Sequence, residues 1–340
     1  MGRRGELRSS GGGPEGRAER SGKERSGAID AVRLLSVVAI VAGHIWGYDN
    51  TAKLLYTWHV PVFFFLSGYL WKPGRAVGAE LRSRLRSLGR PYVAWLAILT
   101  VCLVAFGIAA GEDVSGDVAA GLYGGAGATQ PYTTIWFVSV LFFATLGYRL
   151  LERLPGWARW AAILAGTASG YLWGPELAAT PLSVASAVPC LVLLAAGAAC
   201  RSLRSSIARP LLTGIALLAA SAALILFDVS APVDIKAGDY GTPVLSLLCA
   251  VAISFALVLV AERVVPAGRV SRCLTWLALP ALAVVFAHPL FFDVPGPRVV
   301  VFAVAFLVPL AVGLIGLRTP LSPWLTGQER RGADRSLSPS

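Results

Sequence analysis

The chain has 340 residues, 56% of them apolar and only 14% charged, and carries a net charge of +11. Soluble domains of this size carry roughly 25% charge, and the mean hydropathy of +0.66 also excludes an ordinary soluble enzyme. The charge is not a nucleic-acid footprint either, because its distribution along the chain follows a membrane pattern.

Residues 1–27 are rich in Gly, Arg, Glu and Ser and are too polar to fold, so they are expected as a disordered tail. They are too long and too mixed in charge for the leading region of a signal peptide. Apolar runs of bilayer-spanning length follow near 28–48, 54–71, 90–110, 133–150, 157–174, 181–200, 210–227, 242–261, 273–292 and 298–317. Residues 319–340 are expected as a second disordered polar tail.

Of the 30 Lys and Arg, 26 fall in segments that lie on one side of such a ten-helix arrangement. Three, Lys53, Lys236 and Arg298, fall on the other, and Arg33 lies within the first run. By the positive-inside rule this asymmetry places both termini in the cytoplasm. The expected fold is an all-α, polytopic helical bundle of about ten transmembrane helices, with a transmembrane domain over 28–318. Arg exceeds Lys and Ala is abundant, a pattern of high-GC genomes, so the expected location is the plasma membrane of a high-GC bacterium. The five cysteines lie in or beside apolar runs, with no metal-ligand spacing, and are read as small buried residues.

The first run, "AIDAVRLLSVVAIVAGHIWG", carries Asp30, Arg33 and His44. Arg33 and His44 are eleven residues apart, so they share one helix face and are separated by about 16.5 Å. Asp30 is placed to pair with Arg33 at i,i+3. The protein has only three histidines, His44, His59 and His288. Helix rise places all three at nearly the same depth in the outer half of the membrane. Charged or ionisable residues in a span are a functional hypothesis by default. Pro61 and Pro289, beside two of the histidines, free the carbonyls of Thr57 and Val285, which then need partners.

The residues resemble the acyltransferase-3 family of integral membrane O-acyltransferases. The resemblance rests on "IDAVRLLSVVAIVAGH", with its Arg-x10-His spacing, and on "HVPVFFFLSGYLWKP". The basic "LRSRLRSLGRPYVAW", then "TIWFVSVLFF" and "VVFAHPLFF", follow in order. It implies transfer of an acyl group, commonly acetyl, from a cytoplasmic acyl-CoA to a hydroxyl of a carbohydrate or glycosylated small molecule. On that reading His44 is the general base, and His59 and His288 assist. Arg33, oriented by Asp30, and the run Arg82, Arg84, Arg86 and Arg90 meet the donor phosphates, since Arg recognises phosphate by a rigid fork. Ser67 and Trp136 are candidates for substrate contact, although Ser67 and Gly68 also read as small residues permitting close packing. No metal is expected: three His without a carboxylate at their depth make a weak zinc site. The competing reading is a transporter or flippase for a lipid-linked sugar, which calls for broken helices repeated in two halves. No such repeat is visible.

Overall fold

A computed structural model describes residues 26–47 and 50–330. The tail expected over 1–27 therefore lies largely outside the described residues, as do residues 331–340 of the second one. The regular structure of the described residues is helical, with one isolated β-bridge between Asp234 and Asp239. The helices are α1 (Gly27–Trp46), α2 (Asn50–Tyr56), α3 (Pro61–Tyr69), α4 (Val77–Arg84), α5 (Arg90–Ala110), α6 (Ser115–Tyr123), α7 (Ile135–Leu151) and α8 (Gly156–Ala178). Then come α9 (Leu191–Leu203), α10 (Pro210–Leu226), α11 (Leu245–Val264), α12 (Arg269–Ala278), α13 (Ala281–Ala287), α14 (Arg298–Gly316) and α15 (Ser322–Leu325).

Every stretch expected as a span holds helix. Five segments are long and apolar enough to cross a bilayer: Gly27–Trp46, Val77–Ala110, Leu245–Val264, Arg269–Phe291 and Arg298–Gly316. The bent pair Pro181–Ala187 and Leu191–Ser206 makes a sixth if taken as one span. Large apolar side chains such as Phe106, Ile108, Leu164 and Phe227 face outward, as in helices whose solvent is lipid.

Several spans are broken where single helices are expected. The run 54–71 is two helices, because Pro61 occupies the first position of α3 and cannot donate to a preceding turn. The run 273–292 breaks between α12 and α13 at Pro280. The run 181–200 begins as a 3-10 turn, Pro181–Ala187, in which Leu182 and Ser183 adopt left-handed backbone angles. Their position is held by Ser139 Oγ donating to Leu182 O at 2.6 Å and Ser183 Oγ donating to Ala178 O at 2.8 Å.

The α3–α9 contact explains the small residues of "FFFLSGY". A Cβ on Gly68 would lie 1.9 Å from Leu194 O, and one on Gly197 would lie 2.0 Å from Phe65 O. The two backbones therefore touch at reciprocal glycines, the close approach that small residues allow between membrane helices.

Two expectations differ in detail. Residues 319–330 are not a structureless extension: α15 packs on α5, with Trp95 Nε1 donating to Leu325 O at 2.9 Å, and Ser322 and Thr326 are buried. Of the cysteines, Cys190 and Cys249 are buried, but Cys273 is exposed, because α12 turns that face outward.

Candidate active site

The three histidines converge. His44 sits near the end of α1, His59 in the turn before α3, and His288 at the end of α13. Each ring Nδ1 lies against the carbonyl four residues earlier: Ile40 O at 2.9 Å, Leu55 O at 2.7 Å and Val284 O at 2.9 Å. A carbonyl only accepts, so each Nδ1 carries the proton and each neutral ring keeps its lone pair on Nε2. His288 Nε2 lies 3.2 Å from His44 Nδ1. The tautomers fix the direction: His44 Nδ1–H is shared between Ile40 O and His288 Nε2, and His44 Nε2 remains a free base. Phe292 packs on both rings. The carbonyl that Pro289 frees, Val285 O, accepts from Thr134 Oγ1 at 2.7 Å, which ties α13 to the start of α7.

His44 and His59 open on a cavity of about 130 Å³ whose walls include Tyr56, Thr133, Trp136, Asp234 and Lys236. Trp136 is thus buried in the wall of the histidine cavity. Lys236 enters from the loop between α10 and α11, donating to Ala128 O at 3.0 Å and Thr133 Oγ1 at 2.8 Å. Burial pushes the Asp234 carboxyl up and the Lys236 ammonium down from their ordinary values, the second opposed by attraction to Asp234. Sequence reasoning singled out neither residue as part of a site. The available signal was that Lys236 is one of only three cations on the cation-poor side.

A second, larger groove of about 640 Å³ is lined by Arg82, Arg86 and Arg90, by the apolar Val138, Phe142, Phe143 and Leu182, and by Tyr92 and Ser139. Trp136 and Phe137 line the histidine cavity while Val138 and Ser139 line the groove. The first turns of α7 are therefore the wall between them.

The remaining sequence candidates lie elsewhere. Arg33 pairs with Asp30 at 2.7 Å, and neither residue lines the cavity or the groove. Arg84 turns away from the groove, Nε donating to Glu80 Oε1 at 2.7 Å. Ser67 Oγ donates to Phe63 O at 2.8 Å within its own helix, and it lines neither space.

The sequence also concealed a buried ion cluster. Arg149 is 2% exposed and bonds Glu80, Glu152 and the carbonyl of Lys72. Its guanidinium lies 4.0 Å from the centre of the Trp71 ring, and Trp71 Nε1 donates to Glu152 Oε1 at 2.6 Å. Among the described residues, no three His, Cys, Asp or Glu side chains are grouped as metal ligands would be.

An all-helical membrane protein with a buried histidine cluster beside an arginine-lined apolar groove has the parts of a membrane group-transfer enzyme. Residues 26–318 match the acyltransferase-3 family, described as an acyltransferase domain. The chain belongs to that family, and its activity is that of a membrane acyltransferase. No individual curated protein and no solved structure matches it significantly.

Proposed function

We propose that this protein is a membrane O-acyltransferase that moves an acyl group, commonly acetyl, from cytoplasmic acyl-CoA to a hydroxyl of a carbohydrate or glycosylated small molecule. The chain crosses the membrane ten times with both ends in the cytoplasm, in the arrangement that best accounts for 26 cations on one side and three on the other. The arginine groove then opens toward the cytoplasm and the histidine cavity toward the far side.

The observation that carries the reading is the tautomer of His44. Ile40 O and His288 Nε2 hold its Nδ1–H, so the lone pair sits on Nε2 at the cavity. The acceptor hydroxyl attacks the thioester carbonyl as His44 Nε2 takes its proton. The tetrahedral intermediate collapses, the C–S bond breaks, and the departing thiolate receives the proton back from His44. His288 is a positioning residue, because its Nε2 accepts from His44 Nδ1–H and steadies the imidazolium while it carries the proton. His59 Nε2 accepts from an acceptor hydroxyl, the remaining N–H of Lys236 meets the acceptor or donates to the developing oxyanion, and Asp234 accepts from neighbouring acceptor hydroxyls.

Arg82, Arg86 and Arg90 make the first donor contacts, and the apolar walls of the groove take the pantetheine arm. Arg33, below His44 on the same α1 face and held by Asp30, lies outside both spaces, so any effect it has on the donor is through its charge rather than by lining the groove. Purified protein should consume acetyl-CoA in the presence of a glycan acceptor, and His44→Ala should not. Equal consumption by both would remove the catalytic reading of the histidine cluster.

A further inference from the structure

Near the end of α7 that carries Arg149 lies a third space, of about 410 Å³, between the loop Pro73–Val77 and the start of α8. Four guanidinium groups line it, from Arg75, Arg149, Arg153 and Arg159, together with the single carboxylate of Glu152. Glu80 stands behind Arg75 and Arg149. Counting both carboxylates, two positive charges remain in excess. The inner wall is built rather than merely solvated. Arg149 is held by Glu80, Glu152, Lys72 O and the face of Trp71, while its buried Nε has no hydrogen-bond partner among the described residues. The guanidinium groups of Arg153 and Arg159 form no ion pair or hydrogen bond among the described residues. Both are free to close on an anion.

We infer that this pocket is an oxyanion site for a phosphomonoester, the 3′-phosphate at the nucleotide end of the donor. This rests on the acyl-CoA reading above, and α7 connects the two. Arg149 is seven residues beyond Phe142, within about 20° of the same helix face, and Phe142 lines the apolar groove. Thirteen residues, or about 20 Å, separate Arg149 from Trp136 in the histidine cavity. That span is comparable with an extended pantetheine arm of about 15–20 Å, so a donor lying along α7 carries its phosphates to this end as its thioester nears His44. Val77 lines the arginine pocket and Arg82 lines the groove. They are five residues apart on α4, about 7.5 Å, so the diphosphate and the 3′-phosphate of one nucleotide can occupy both. A phosphomonoester dianion suits two unpaired guanidinium forks in front of a fixed one.

The test compares coenzyme A with 3′-dephospho-coenzyme A by calorimetric titration of the full chain in an uncharged detergent. The wild type and the double variant Arg153→Gln/Arg159→Gln are measured side by side. These two side chains have no hydrogen-bond or ion-pair partner among the described residues, so the variant should keep its melting temperature. The wild type should bind coenzyme A at least about tenfold more tightly than the dephospho form. The variant should bind both with the affinity the wild type shows for the dephospho form. If the wild type consumes acyl-CoA but does not distinguish the two ligands, or if the variant keeps the distinction, the inference is overturned and the donor reading stands. If the wild type neither binds nor consumes acyl-CoA, both are overturned. A variant that loses binding only to phosphatidate vesicles would assign the arginines to lipid headgroups and overturn the inference as well.

Discussion

His288→Ala isolates the role of the histidine pair. The substitution removes Nε2, the acceptor 3.2 Å from His44 Nδ1, but leaves Ile40 O, 2.9 Å from the same atom. The neutral His44 ring therefore keeps its tautomer. The loss falls on the imidazolium formed as the hydroxyl attacks, which needs acceptors for its proton more than the neutral ring does. A hydrogen bond involving a charged group contributes about 1.5–3 kcal/mol. This one is long and shares its donor, so the lower end applies, about 1.5 kcal/mol, or roughly a tenfold fall in kcat. His44→Ala should cost far more, about 10²–10⁴-fold, because it removes the base. His288→Gln presents an amide oxygen in place of Nε2 and should recover most of the loss. The assay is steady-state acetyl-CoA turnover with the acceptor saturating, with each variant checked for its melting temperature in detergent, since His288 is fully buried. An unchanged kcat in folded His288→Ala would refute the reasoning, as would a folded Gln variant no better than Ala.

Lys236→Met should raise the acceptor KM about tenfold while leaving acetyl-CoA binding intact, since the ammonium faces the histidine cavity and not the groove. Burial lowers the Lys236 pKa, so acceptor affinity in the wild type should be full while the ammonium is charged and should fall as pH rises, below the ordinary lysine range. Unchanged affinity up to that range would remove Lys236 from the acceptor site. Gly68→Ala forces a methyl group into Leu194 O and should destabilise the α3–α9 pair by about 1–3 kcal/mol, read as a lowered melting temperature. An unaltered melt would mean that the helices separate without penalty. A cysteine at Arg204 should resist a membrane-impermeant thiol reagent in intact cells, while one at Asp117 should react. Labelling of the Arg204 site from outside would reverse the assigned sides.

Much of this protein is written in the order of its residues. The all-helical membrane class follows from apolar runs too long and too poorly charged for a soluble core. The meeting of His44, His59 and His288 was expected from depth alone, because helix rise converts residue number into height and a bilayer gives all spans a common origin. The Asp30–Arg33 pair follows from i,i+3 spacing. The partner that Val285 O requires after Pro289 was foreseeable as a need, but not as Thr134.

Position around the bundle is a different matter, because rise fixes height and says nothing about which faces of distant helices meet. Arg33 and Arg82 have suitable charge, yet only Arg82 lines the groove, with Arg86 and Arg90, while Arg84 on the next face turns to Glu80. The loop that brings Lys236 to the histidines, and the burial of Arg149 against Glu80 sixty-nine residues earlier, likewise depend on packing between segments far apart in the chain. Even Ser67 and Gly68, adjacent in one motif, part company. The hydroxyl closes on its own helix, and the missing side chain next to it is what lets α9 approach.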